Sequence, residues 1–167
     1  MSQAISGHNR KILNSSTLNT DTVPPKQCNC RKPSECPLDN HCLEECVIYE
    51  ASVSSEEGCK QYLGLTEGPF KTRFNQHKAS FAHASKASDT ALSKYVWDLK
   101  QREANFEIKW RVVEKCQPYR CGTRRCDLCL TEKFHILNAD NDKCLNRNSE
   151  LLQKCRHSNK YKLGCIT

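Results

Sequence analysis

No run in this sequence approaches the roughly 20 apolar residues that a membrane span requires. Met1 to Pro25 is polar and has no apolar core of the kind a signal peptide carries. There is no internal repeat. The missing export signal predicts an intracellular setting, nuclear or cytoplasmic, in which thiols stay reduced and cysteine binds metal more readily than it forms disulfides. Cysteine itself is plentiful, with 13 in the chain, an odd count that leaves at least one unpaired if the rest were disulfides. Lys and Arg number 26 against 19 Asp and Glu, a formal charge of +7. That balance suits an anionic partner, nucleic acid or an acidic membrane surface, and suits a merely soluble basic protein equally.

With 167 residues, 37% of them hydrophobic, the chain can build one domain with a modest core and a small attached module. A mean hydropathy of -0.74 implies a wet surface. Such a domain folds without disulfides, although a metal staple would add stability. Residues 1–27, with their Ser, Thr and Asn and the Pro24-Pro25 pair, read as a disordered leader or linker. Residues 28–46 are cysteine-rich, broken by proline and poor in apolar side chains, so a metal rather than a core must order them. Residues 47–160 carry the domain proper, and 161–167 form a tail.

Val47 to Val53 is rich in strand formers, and Lys60 to Leu65 reads as a second strand after the polar turn Ser54 to Gly58, giving a hairpin. Gly68-Pro69 opens a helix, with Phe70, Phe74, His77 and Phe81 on one face. Leu92, Tyr95, Val96 and Leu99 mark a second helix. Phe106, Ile108, Trp110 and Val112 alternate with polar residues, as in a half-buried strand. Pro118 to Arg125 is a basic loop. A third helix is expected from about Cys126 to Ala139 with Leu130, Phe134 and Leu137 turned inward, and a short last helix around Ser149 to Cys155. This order describes an α/β (α+β) layer pair, not a parallel βαβ repeat.

Chemistry concentrates between Tyr49 and His77. Arg73 and His77 lie four residues apart, on one face of the first helix, and the hairpin holds Tyr49 and Tyr62 beside that face. Two phenols, a guanidinium and an imidazole are parts for phosphodiester hydrolysis, which needs a base for water, a cation for the charge on the phosphorane and a metal to assist the leaving group. Taken singly, each has a plainer reading: a packed strand tyrosine, a solvated arginine, a buried histidine.

Val47-Ile48-Tyr49, Tyr62-Leu63-Gly64, the Gly64-x-Thr66 step and the Arg73-x-x-x-His77 pair together resemble the GIY-YIG nuclease family, represented in intron homing endonucleases and in the N-terminal nuclease of bacterial nucleotide-excision repair. Val stands where the family has its first Gly, and Leu where it has Ile. The resemblance covers roughly Cys46 to Asn159. It implies a small three-stranded antiparallel sheet flanked by helices, preceded here by the zinc-binding cysteine segment, and a metal-dependent DNA endonuclease activity. By the same resemblance Tyr49 is the general base or water-orienting phenol, Tyr62 bonds the attacking water or the phosphate, Arg73 stabilises transition-state charge, and His77 orients Tyr49 or the phosphate. Glu132 is the carboxylate that holds one Mg²⁺ or Mn²⁺, and Asn146 matches the late asparagine, with Asn148 close by and a loop cap as its plainer role. The Cys-x-Cys run, Cys126-Asp127-Leu128-Cys129-Leu130-Thr131-Glu132-Lys133 and the Ser149-to-His157 ending are most like the C-terminal endonuclease domain of Penelope-like retroelements. That likeness implies nicking of target DNA to prime insertion and a reverse transcriptase in the same or a partner chain. Cys59 is the one cysteine between the tyrosine motifs, where many of those nucleases carry two.

Cysteine spacing defines two metal sets. Cys28, Cys30, Cys36 and Cys42 form the first, with His41 and Cys46 as substitutes. Cys126-x-x-Cys129 joined to Cys155-x-His157 forms the second, a closed tetrahedral zinc site tying the chain end to the third helix. Cys116, Cys121, Cys144 and Cys165 have no assigned role. Lys71, Lys78, Arg120, Arg124 and Arg125 flank the catalytic patch as phosphate contacts. A catalytically weak, zinc-containing nucleic-acid-binding module is the leading rival, and an extracellular disulfide-rich protein is a third reading.

Overall fold

A computed structural model describes residues 27–119, 125–146, 155 and 157. The leader, Arg120 and Arg124, Cys121, Asn148, the Ser149–Cys155 helix apart from Cys155 itself, and the tail with Cys165 lie outside those residues. Within them the fold is α+β. Strands β1 (Val47–Ser55), β2 (Gly58–Thr66) and β3 (Phe106–Lys115) make a sheet of order β2-β1-β3, antiparallel throughout. Helices α1 (Phe70–Ala82) and α2 (Ala91–Gln101) lie between β2 and β3 in the chain, and α3 (Asp127–Asn138) follows β3. Both strands of the hairpin run longer than the apolar pattern shows, because Ser54, Ser55, Gly58 and Cys59 still pair at the turn end.

The central strand β1 is buried on both faces. Val47, Tyr49, Ala51 and Val53 point into the larger core with Tyr62, Phe70, Leu92, Val96 and Leu99. Ile48 points the other way, into a second cluster with Leu128, Cys116 and Cys126. Thus α1 and α2 cover one face and α3 begins on the opposite one. Pairing of β1 with β3 slips by a residue between Ile48 and Tyr49. The extra residue on β3 is Val113, a bulge beside the candidate site, where a strand is commonly re-aimed.

The third helix forms as expected, but its roll differs. Leu130, Phe134 and Leu137 are 52%, 61% and 68% exposed, while Leu128 and Ile136 are buried. The apolar stripe at 130, 134 and 137 is therefore turned outward, not inward. Leu128 is held in the Ile48 cluster, and Cys126 and Cys129 face His157. Those anchors outweigh the stripe in fixing the helix. Glu132 lies four residues from each of Leu128 and Ile136, on their face, and is half-buried.

The cysteine segment has a packing role that its composition did not announce. Leu38 joins the main core and Cys42 is fully buried. Helix α1 begins at Pro69 without a side-chain cap. Its first amides are satisfied from the segment instead: Phe70 N–H donates to the Glu44 carbonyl (2.9 Å) and Lys71 N–H to the Cys42 carbonyl (2.8 Å). No helix among the described residues is long and apolar enough to cross a membrane.

Candidate active site and metal centres

Register places the two tyrosines. Tyr49 is opposite Gly64 and Ala51 is opposite Tyr62, so both rings leave the sheet on the face that α1 covers. Helix α1 then supplies Arg73 and His77, one turn apart. The Tyr49 hydroxyl lies 2.8 Å from His77 Nε2 and receives a hydrogen bond from Arg73 Nε at 3.0 Å. Arg73 also bonds Tyr62. The four residues expected at the site from Tyr49 to His77 are thus in direct contact.

The proton inventory of this group follows from its chemistry. Arginine only donates, so the Tyr49 oxygen accepts from Arg73. The phenolic proton is then directed at Nε2, which accepts it if the imidazole is neutral and carries its proton on Nδ1. Burial, aided by the Arg73 charge, pushes the His77 pKa down to about 3, so the ring is neutral at physiological pH. Burial opposes the Arg73 charge, yet its contacts with the Tyr49 and Tyr62 phenols raise its pKa above the ordinary value. Rings of Phe70, Phe74 and Trp110 pack around this centre; Trp110 and His77 are 5.3 Å apart between centroids. Tyr49 is fully buried, His77 is 2% exposed and Tyr62 is 6% exposed, leaving Arg73 as the most accessible of the four.

Asn146 sits at the β2 edge. Its Oδ1 accepts from Leu63 N–H at 2.7 Å, and its Nδ2 donates to the Leu63 carbonyl at 2.8 Å. One carboxamide thereby does the pairing of a neighbouring strand residue, beside Tyr62. Just before it, Gln61 exchanges backbone bonds with Lys143 and Leu145. Among the residues expected to contact phosphate, Lys71 donates to both Asn29 oxygens, tying α1 to the cysteine segment. Lys78 is exposed and its ammonium lies 5.7 Å from the Phe74 ring centroid; Arg125 is exposed.

Both cysteine sets converge, and both could hold zinc. In each, the four donor atoms lie within 4.8 Å of one another. Cys28 and Cys36 sulfurs are 3.7 Å apart, and Cys42 lies 3.6 Å from both Cys28 and Cys30. Those separations are too long for a disulfide and near the ~3.8 Å edge of a tetrahedron with Zn–S bonds of ~2.3 Å. His157 Nδ1 lies 3.4, 3.2 and 3.7 Å from the sulfurs of Cys126, Cys129 and Cys155. Without a cation such crowding opposes ionisation. Burial and the neighbouring thiols push Cys42 up to about 12, and burial with Cys155 and Cys126 raises Cys129 strongly. Burial acts to raise Cys36 as well, but backbone amides of Leu38 and Asn40, with Cys28 and Cys42, bring it down to about 7. A central dication reverses this penalty, since coordination deprotonates a thiol outright.

The two substitutes are otherwise engaged: His41 lies 3.6 Å from Glu44, and the Cys46 sulfur bonds the Glu67 carbonyl. Sequence reasoning passed over Gly64 as a packing partner, and it also passed over the polar wall beside Arg73 formed by Asn75, Gln76, Lys86 and Asp89. Asn75 and Gln76 fall between the two expected helix residues, which was the available signal. No family model, no curated protein and no solved structure matches the chain.

Proposed function

We propose that this protein is a metal-dependent DNA endonuclease of the GIY-YIG type, most like the endonucleases of Penelope-like retroelements, with structural zinc in both cysteine sets. The observation that carries the reading is the Arg73 guanidinium bonded to two phenols, one of which has a neutral histidine as its proton acceptor. A guanidinium so held is a preorganised donor for charge that develops on a phosphoryl oxygen, and preorganisation of this kind is the main catalytic lever in phosphoryl chemistry.

In this reading Arg73 binds the scissile phosphate, and Tyr62, at the β2 edge, bonds the phosphate or the attacking water. Tyr49 is the general base or the water-orienting phenol, held in place by its hydrogen bond to His77, while the Arg73 charge beside its oxygen favours the phenolate. Glu132 comes from the helix on the other face of the sheet, so in this reading it meets the phosphate bound by Arg73 only where the substrate wraps the β2 edge. One Mg²⁺ or Mn²⁺ held by that carboxylate supplies charge stabilisation for the leaving oxygen. Asn146 keeps the edge in place. The net charge of +7 favours DNA as partner, and a reverse transcriptase in the same or a partner chain is proposed from the retroelement likeness.

Complete burial of Tyr49 favours one rival, a zinc-containing nucleic-acid-binding module that keeps the nuclease frame with little catalysis. A supercoiled-plasmid nicking assay with Mg²⁺ or Mn²⁺ separates the two. The nuclease predicts nicking by the parent that Arg73→Ala and Glu132→Ala each lose with unchanged circular dichroism. A folded, DNA-binding parent that leaves the plasmid intact points to the rival, or to a nuclease that needs its partner, which adding the partner to the assay distinguishes.

A further inference from the structure

We infer that the cavity between α1 and the start of α2 is a base-reading pocket for a nucleotide flanking the cut, an inference that rests on the nuclease reading above. The cavity holds about 500 Å³, within the range of ligand-sized sites. Asn75, Gln76, Lys86 and Asp89 line it, and Arg73 and His77 form the side it shares with the catalytic group.

The chemistry of the lining favours a base over a phosphate. A phosphate site presents donors and positive charge, and the Asp89 carboxylate repels an anion. A base edge alternates donors and acceptors, which two carboxamides, an ammonium and a carboxylate can match; carboxamides pair with adenine and carboxylates accept from the cytosine amino group. Gln76 Oε1 is taken by Arg73 Nη1 at 3.0 Å, which leaves its NH₂ to donate. The Asn75 and Asp89 side chains have no hydrogen-bond or ion-pair partner among the described residues. Gln76 therefore links a base in this pocket to the guanidinium that holds the scissile phosphate.

The pocket is also built in advance. Behind it, Ser93 Oγ lies 2.8 Å from both Ser80 Oγ and Thr90 Oγ1, and Trp97 Nε1 donates to the Ser80 carbonyl at 2.8 Å. These bonds hold α1 against the start of α2, so the backbone that carries the cavity is fixed from behind.

The test is selection from a duplex pool randomised around a fixed position, bound by the full chain in Ca²⁺ and sequenced, followed by the same pool cleaved in Mg²⁺ or Mn²⁺. The expected result is enrichment of one base at one position in the bound pool, reduced about 5- to 100-fold in Asn75→Ala and in Asp89→Asn, the scale of one lost base contact. Both positions are exposed, and an unchanged melting temperature confirms that each variant folds. A bound pool without enrichment, or enrichment that both variants keep, overturns the pocket whether or not the chain cuts. Enrichment with no cleavage by the parent sustains the pocket and overturns the nuclease, so the two failures are distinct.

Discussion

The Tyr49 hydroxyl crosses the neighbouring strand directly over Gly64, so closely that a Cβ at position 64 would stand 2.4 Å from the phenolic oxygen and 2.5 Å from Cζ. The glycine is required by space, not by backbone freedom, because the ring has nowhere else to lie between β2 and α1. Gly64→Ala should displace the Tyr49 oxygen from His77 and Arg73 together. The expected cost is about 1–3 kcal/mol of stability and, under the proposed function, a drop in nicking on the order of 100-fold. Thermal unfolding beside the nicking assay reads both; a parent-like variant would remove this contact from the account.

Acid should test His77. Its folded pKa of about 3 lies below an unfolded value near 6.5. Only the unfolded chain takes up the proton in that interval, so the contribution is complete above pH 6.5 and is lost as pH falls towards 3. Between pH 6.5 and 4.5 the loss should reach about 2 kcal/mol. Denaturant titrations of parent and His77→Gln at both pH values give the comparison, and the variant should show a flatter dependence. Equal slopes would mean that this ring titrates in the folded protein as it does in water.

Metal analysis should find two zinc ions per folded chain, set by the two donor groups. Cys30→Ser and Cys129→Ser should each remove one ion, from different places. The first should loosen the start of α1 and with it nicking, and the second should loosen α3 and the Glu132 side. Elemental analysis with native mass spectrometry decides the count. Full zinc retention in either variant would contradict the assigned ligands.

Arg111 grips Glu50 with two bonds, Nε to Oε1 at 3.1 Å and Nη2 to Oε2 at 2.6 Å, while Ser52 donates to Oε1 at 2.7 Å. Burial acts to raise the Glu50 pKa, but the Arg111 and Ser52 bonds hold it below the ordinary value. The stability this adds is present above the unfolded carboxylate pKa and disappears as pH falls through the folded one. Arg111→Ala leaves a buried carboxylate short of partners and should cost about 1–3 kcal/mol at neutral pH. Adding Glu50→Gln should recover part of that in a double-mutant cycle; no coupling would mean the exposed arginine contributes nothing.

Much of this arrangement is visible in the sequence because it depends on local periodicity. Strand alternation sends Tyr49 and Tyr62 to the same face, and the helical repeat puts Arg73 above His77. The close pairs Cys28/Cys30, Cys126/Cys129 and Cys155/His157 announce the two sets that could hold zinc, with Cys36 and Cys42 completing the first. The roll of α3 was not legible, because Leu130, Phe134 and Leu137 make a convincing stripe, whereas it is turned outward by Leu128, which packs on Ile48 of a strand far earlier in the chain. The edge clamp of Asn146 was hidden for a related reason: its partner Leu63 lies 83 residues away, and a carboxamide looks the same in sequence whether it faces a phosphate or a strand. Asn75 and Gln76 were passed over because polar residues on a helix are ordinarily solvent-facing, and only the placement of α2 makes a cavity of them.

The two carbonyls that receive the amides of Phe70 and Lys71 belong to residues made well before the helix they start. A chain emerging from synthesis has the whole cysteine segment available before Arg73 exists. Under the proposed zinc binding, a segment ordered by metal presents a ready template on which the first turn of α1 can nucleate, the most unfavourable step in making a helix. On this account metal loading should precede site assembly and, under the proposed function, a chain starved of zinc should fail to nick DNA even though Tyr49, Tyr62, Arg73 and His77 are all present. Hydrogen exchange at the Phe70 and Lys71 amides reads this order: protection there should rise with metal before protection deeper in the sheet changes.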